Sequence, residues 1–104
     1  MAGVGTDIVE YLKDHHTTEA QAIKSKNLCV LFNLTDKQLR NVITVLRQDN
    51  HPICSSSLGY WYSKDPDDLV KTLHRMRAQI SNMTKSIKGL HRILQEVTES
   101  EHED

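Results

Sequence analysis

This sequence is short of the residues that define several protein classes. It has two cysteines, four glycines, two prolines and 5% aromatics among 104 residues. Cys29 on a predicted helix and Cys54 on a predicted strand are too few for a disulfide framework and lack CxxC spacing, which excludes a disulfide-stapled scaffold and points to reduced thiols. No glycine-rich loop able to cradle a phosphate is present. No stretch approaches the roughly 20 apolar residues that a membrane span requires. Asp7, Glu10 and Asp14 surround a short apolar stretch near the N-terminus, which therefore lacks the basic-then-apolar order of a secretory signal. The expectation is a soluble cytoplasmic protein with no membrane partner. Neither Cys29 nor any serine sits in a nucleophile motif, so no enzyme, catalytic residue or cofactor is expected. The histidines raise the question of a metal. Adjacent residues such as His15 and His16 are rarely co-ligands, and His51-x-x-Cys54 has no second pair at matched spacing, so no metal site is expected either.

Charge is present but segregated. The net charge of −1 conceals acidic ends and a basic middle. Residues 1–19 set Lys13 against Asp7, Glu10, Asp14 and Glu19, and residues 20–64 set six cations against Asp36 and Asp49. Residues 66–95 set Lys71, Arg75, Arg77, Lys85, Lys88 and Arg92 against Asp67 and Asp68, and the end of the chain carries Glu96, Glu99, Glu101, Glu103 and Asp104. The middle suits a polyanion, and the acidic ends oppose unspecific sticking.

Thr6 reads as the cap of a first helix to Asp14 with Ile8, Val9 and Leu12 on one face. Ala20 to Lys24 fits either a short helical turn or a first strand. Ser25 then caps a helix from Lys26 to Phe32, and Thr35-Asp36-Lys37-Gln38 is a capping box that starts the next. Leu28, Leu31, Phe32, Leu34, Leu39, Val42, Ile43 and Leu46 recur as two short helices packed across a turn require, and they are assigned to the core. Pro52 stops the second helix. Ile53–Ser56 and Tyr60–Ser63 read as strands joined by Ser57-Leu58-Gly59, with one side of the Tyr60-Trp61-Tyr62 run on the helices and the other partly exposed. Asp65 and Pro66 open a long helix from Asp67 to about Thr98. The predicted class is mainly α: a winged helix-turn-helix with a two-stranded β-wing at residues 1–65, a long dimerisation helix at 66–98 and an acidic disordered tail at 99–104.

On such a module the second helix enters the major groove and presents its polar face to the bases. Lys37, Gln38, Asn41 and Thr44 are the base-contacting candidates, because amides can bond adenine bidentately, an ammonium suits guanine, and a Thr methyl can touch thymine. Lys26, Arg40, Arg47, Ser55, Ser56 and Lys64 are the phosphate-contacting candidates. Leu69, Leu73, Met76, Ile80, Met83, Ile87, Leu90, Leu94 and Val97 recur with 4,3,4,3 spacing, a narrow seam that predicts self-association of the long helix. Isoleucine at two a positions favours a two-stranded coil, but e and g positions without a complementary charge code leave parallel and antiparallel pairing open.

The run Leu34-Thr35-Asp36-Lys37-Gln38-Leu39-Arg40 and, above all, His51-Pro52-Ile53-Cys54-Ser55-Ser56-Ser57-Leu58-Gly59-Tyr60-Trp61-Tyr62-Ser63 resemble small winged-helix proteins of phages and mobile elements in Gram-positive bacteria. The resemblance covers about half the chain and implies a double-stranded DNA partner, with Thr35–Arg47 as recognition helix and a task in transcription regulation or origin binding in a bacterial cytoplasm. It also admits a different task, in which the module grips a host or phage protein.

Overall fold

Ile8, Leu12, Leu28 and Leu39, drawn from three helices, are each fully enclosed, and burying side chains of this kind contributes about 1.5–3 kcal/mol apiece. They mark the core of the first of two units in a computed structural model that describes residues 3–102. This unit ends at Thr72, and the second begins at Leu73. In chain order the elements are α1 (Val4–His15), a 3-10 turn (Glu19–Gln21), α2 (Ser25–Phe32), α3 (Asp36–Gln48), β1 (Ile53–Ser56), β2 (Gly59–Tyr62) and α4 (Pro66–His102). The protein is mainly helical, with a two-stranded antiparallel sheet.

α1 buries Ile8, Val9 and Leu12 as the sequence predicts, but it starts two residues before Thr6, with Gly3 in extended geometry as its cap and no side-chain capping bond. The ambiguous segment before Ser25 begins as the helical turn and ends in a single β-bridge, short of a strand. Its first part is the 3-10 turn, and Ile23 then exchanges backbone hydrogen bonds with Tyr60, N to O at 2.9 Å and O to N at 2.8 Å. Gly59 belongs to β2 rather than to the turn, pairing with Ser56 across it. Its φ of +128° and the Ile23 carbonyl oxygen, 2.2 Å from where a Cβ would stand, both demand glycine.

Both helices of the α2–α3 pair end in the same way. Asn33 (φ 52°) and Asn50 (φ 69°) take the left-handed conformation. Leu34 N–H then returns to Cys29 O at 2.9 Å and His51 N–H to Leu46 O at 3.0 Å, the six-to-one bond of a Schellman turn. Leu31 departs from its predicted core position and is 54% exposed. The buried side of α2 runs from Leu28 toward Cys29 and Phe32, and Leu31 lies about 60° from Leu28 on the opposite flank at 100° per residue.

The hairpin is covered on both faces. Ile53, Tyr60 and Tyr62 pack toward the helices. The expectation that one side of the hairpin stays partly exposed fails: on the other face Trp61 is fully buried opposite Cys54. The start of α4 closes that side: Trp61 Nε1–H donates to Asp68 Oδ2 at 3.2 Å, Ser63 Oγ to the same oxygen at 2.8 Å, and Ser55 N–H to Thr72 Oγ1 at 3.2 Å. These bonds explain why the first unit runs to Thr72 rather than to residue 65.

In the second unit the helix continues to His102, so Glu99 to His102 are helical rather than disordered. No glycine or proline separates them from Thr98, and glutamate is a good helix former. Glu103 and Asp104, the end of the predicted tail, lie outside the described residues. The seam is exposed through most of its length, from 47% at Leu73 to 69% at Leu90, with Ile80, Met83, Ile87, Leu94 and Val97 between. Met76 is half-buried, as is Leu69 in the first unit.

Candidate nucleic-acid interface

α3 is fixed at its start by the predicted capping box: Gln38 N–H donates to Thr35 Oγ1 at 3.2 Å, and Thr35 N–H donates to Gln38 Oε1 at 2.9 Å. Asp36 lies in the first turn, where a carboxylate suits the helix dipole. It also accepts the Cys29 thiol at 3.6 Å. Burial, then the neighbouring Asp36 carboxylate, pushes the Cys29 thiol above its ordinary range, which keeps it protonated.

The buried stripe of α3 is Leu39, Ile43 and Leu46. Helical periodicity therefore turns Lys37, Arg40, Asn41 and Thr44 to the other side, and all four are exposed. Three of the four base-contacting candidates, Lys37, Asn41 and Thr44, share this face with Arg40. The Thr44 hydroxyl donates to Arg40 O of its own helix at 2.8 Å, which fixes its rotamer. Gln38, the fourth candidate, is exposed, but its amide oxygen is engaged in the cap. That leaves the NH2 as its outward donor, so it cannot offer adenine a free donor and acceptor together without opening the capping box.

Among the phosphate candidates Lys26, Arg40 and Lys64 are exposed. Arg47 is not free to join them. Its Nε–H donates to Ile53 O at 2.9 Å, its Nη2 to Ser55 Oγ at 3.1 Å, and its guanidinium stands 6.0 Å from the centre of the Tyr60 ring. Burial lowers its pKa from the usual arginine value, with Tyr60 acting in the opposite direction. The residue ties the end of α3 to β1. Ser55 is withdrawn by the same contact, and the Ser56 hydroxyl accepts Leu58 N–H at 3.1 Å inside the turn. Both serines are half-buried.

The residue that fixes the hairpin tip was not singled out from the sequence. Lys24 Nζ donates to Ser57 O at 2.6 Å, which holds the turn beside the start of α2. Only the contact between residues far apart in sequence reveals it, since an isolated lysine before a helix carries no signal of its own. A hollow of about 290 Å³ lies nearby, lined by Ser25, Asp36, Leu39, Arg40 and Tyr60. It places the Arg40 side chain at the junction of α2, α3 and β2. On the other flank of α3 a shallower apolar hollow of about 280 Å³ is lined by Gly5, Asn41, Val42, Val45 and Leu46.

Among the described residues no cluster of three or more His, Cys, Asp or Glu side chains could hold a metal ion, and no helix is long and apolar enough to cross a membrane. No protein-family model, no curated protein and no solved structure matches this chain.

Proposed function

We propose that the chain is a winged helix-turn-helix protein, of the kind it resembles among phages and mobile elements, that binds double-stranded DNA sequence-specifically as a homodimer to regulate transcription or mark a replication origin. The observation that carries this reading is the outward face of α3. Lys37, Arg40, Asn41 and Thr44 stand exposed on the side opposite a fully buried apolar stripe. Two helices joined by a short left-handed turn and followed by a hairpin supply the framework that such a reader needs. Lys37, Asn41 and Thr44 address the bases, and Gln38 contributes through its NH2. Arg40, Lys26 and Lys64 hold phosphates. Arg47 and Ser55 serve by holding the hairpin against α3. Self-association buries the exposed seam from Leu73 to Val97, as its heptad spacing favours.

Selection of duplexes from a random pool, followed by band shifts of variants, tests the reading. Asn41→Ala relaxes the preference at one adenine, losing about 1–3 kcal/mol of discrimination. Arg40→Ala weakens all duplexes alike and lowers the salt slope by about 0.9 per copy. A best duplex bound equally by Lys37→Ala, Arg40→Ala, Asn41→Ala and the parent chain overturns it.

A further inference from the structure

The cations of the second unit lie on one side of its helix. Residues 73–95 contain Arg75, Arg77, Lys85, Lys88 and Arg92 and no acidic residue. At 100° per residue these five fall within an arc of about 160°, while Leu73, Met76, Ile80, Met83, Ile87, Leu90, Leu94 and Val97 fall within an arc of about 120° centred opposite them. All five cations are exposed. In the heptad frame they occupy b, c, e and f positions, so a second copy packed on the seam leaves their face turned outward. Ala78 within the basic arc and Ile93 at its margin are the apolar side chains that it takes in.

We infer that this basic face is a second phosphate-binding surface, which contacts the duplex backbone without reading bases. The inference rests on the DNA-binding reading given above and extends it to the second unit. Arg75 and Arg92 are separated by about 26 Å along the axis, a span over which a duplex carries about fifteen phosphate charges. Flexible lysines and arginines with no acidic neighbour on their face suit a sequence-independent contact with such a row of charges. An anionic lipid surface offers the same charge but fits the helix less well. A helix lying in a membrane interface inserts its apolar side, commonly with Trp or Phe among the inserted residues, whereas residues 73–102 contain no aromatic residue apart from histidine and their apolar strip has the narrow width of a helix-to-helix seam. The acidic residues Glu96 and Glu99 bound the basic face at its far end and limit the contact to the stretch before them.

The test compares the full chain with Lys85→Gln/Lys88→Gln/Arg92→Gln and, separately, with the single variant Lys88→Gln. Each is titrated against a selected duplex of about 30 base pairs over a range of salt concentrations. The substitutions are exposed, and glutamine keeps the helix, as far-ultraviolet circular dichroism and light scattering verify. The triple variant is expected to lower the slope of log K against log salt by about 2–3 per copy, and the single variant by about 0.9. Affinity at low salt falls at least tenfold (about one decade) for the triple variant, with the preferred sequence unchanged. An unchanged slope in the triple variant, while Arg40→Ala still lowers it, overturns this inference and leaves the DNA-binding reading standing. Absence of duplex binding by the parent chain overturns both. Binding of phosphatidylserine vesicles but not duplex, abolished by the triple substitution, assigns the face to lipid and likewise overturns the inference.

Discussion

α3 and the helix from Leu73 onward are written in the same hydrophobic alphabet and meet opposite fates. In α3 the stripe is consumed within its own unit, Leu39 at 0%, Ile43 at 2% and Leu46 at 7% exposure. From Ile80 to Val97 every seam residue keeps more than half its surface in solvent. Periodicity fixes which face of a helix is apolar, but not whether the chain itself supplies the cover. The cover for α3 comes from α1, α2 and the hairpin. The second unit is a single helix, which has no other element to fold against inside that unit. Its apolar seam therefore stays open to solvent within that unit, whereas the apolar stripe of α3 is a foundation for the polar face above it.

The contrast predicts its own largest effect. Leu39→Ala removes most of a fully enclosed side chain at the centre of the first unit, and large-to-small changes of this kind cost about 2–5 kcal/mol. Urea unfolding followed by Trp61 fluorescence reads this directly, because the indole is buried in the same unit. A loss below about 1 kcal/mol would mean that α3 is not anchored by this stripe, and the rigid presentation of its polar face would go with it.

The elements were legible where sequence and local physics act alone. The Thr35 capping box, the α3 stripe and the start of α4 near Pro66 all follow from residues within a few positions of one another, and each stands as expected. What escaped depends on contacts made across turns, between one element and the next. Trp61 is enclosed because Asp68 and Thr72 return over the hairpin. Leu31 is exposed because α3 and α1 pack on the other side of α2. Arg47 reads as one more exposed cation until the Ile53 carbonyl and the Ser55 hydroxyl claim its guanidinium. The candidate recognition face was readable for the opposite reason, since burial of Leu39, Ile43 and Leu46 decides by periodicity alone where Lys37, Asn41 and Thr44 must point.

A second pair of substitutions separates two arginines that sequence treats alike. Arg47→Ala leaves the Ile53 carbonyl and Ser55 hydroxyl without their charged donor and is expected to cost about 1–3 kcal/mol of folding stability. Arg40→Ala, on an exposed face, is expected to stay within about 0.5 kcal/mol. Duplex affinity reverses the ranking when both are measured well below their unfolding midpoints. Arg40→Ala weakens binding directly, while Arg47→Ala does so only through the fraction unfolded. Equal losses of stability would remove the distinction between an arginine that builds the fold and one offered to a ligand.

The smallest effect on folding is expected in the seam, and its size is what makes it informative. Ile80 is 65% exposed, so Ile80→Ala deletes methylenes that are already largely in water, and at concentrations where the chain is monomeric it should shift unfolding by no more than about 0.5 kcal/mol. Where copies associate, the same deletion opens a cavity in a packed a-position layer, and the cost rises to the about 2–5 kcal/mol of a buried large-to-small change for each copy. The variant's effect should therefore grow with protein concentration, whereas that of Leu39→Ala should not. Sedimentation and urea unfolding across a wide concentration range measure both. A concentration-independent loss at Ile80 would show that the seam is closed by something other than a second copy. It would also remove the reason for treating this helix differently from α3.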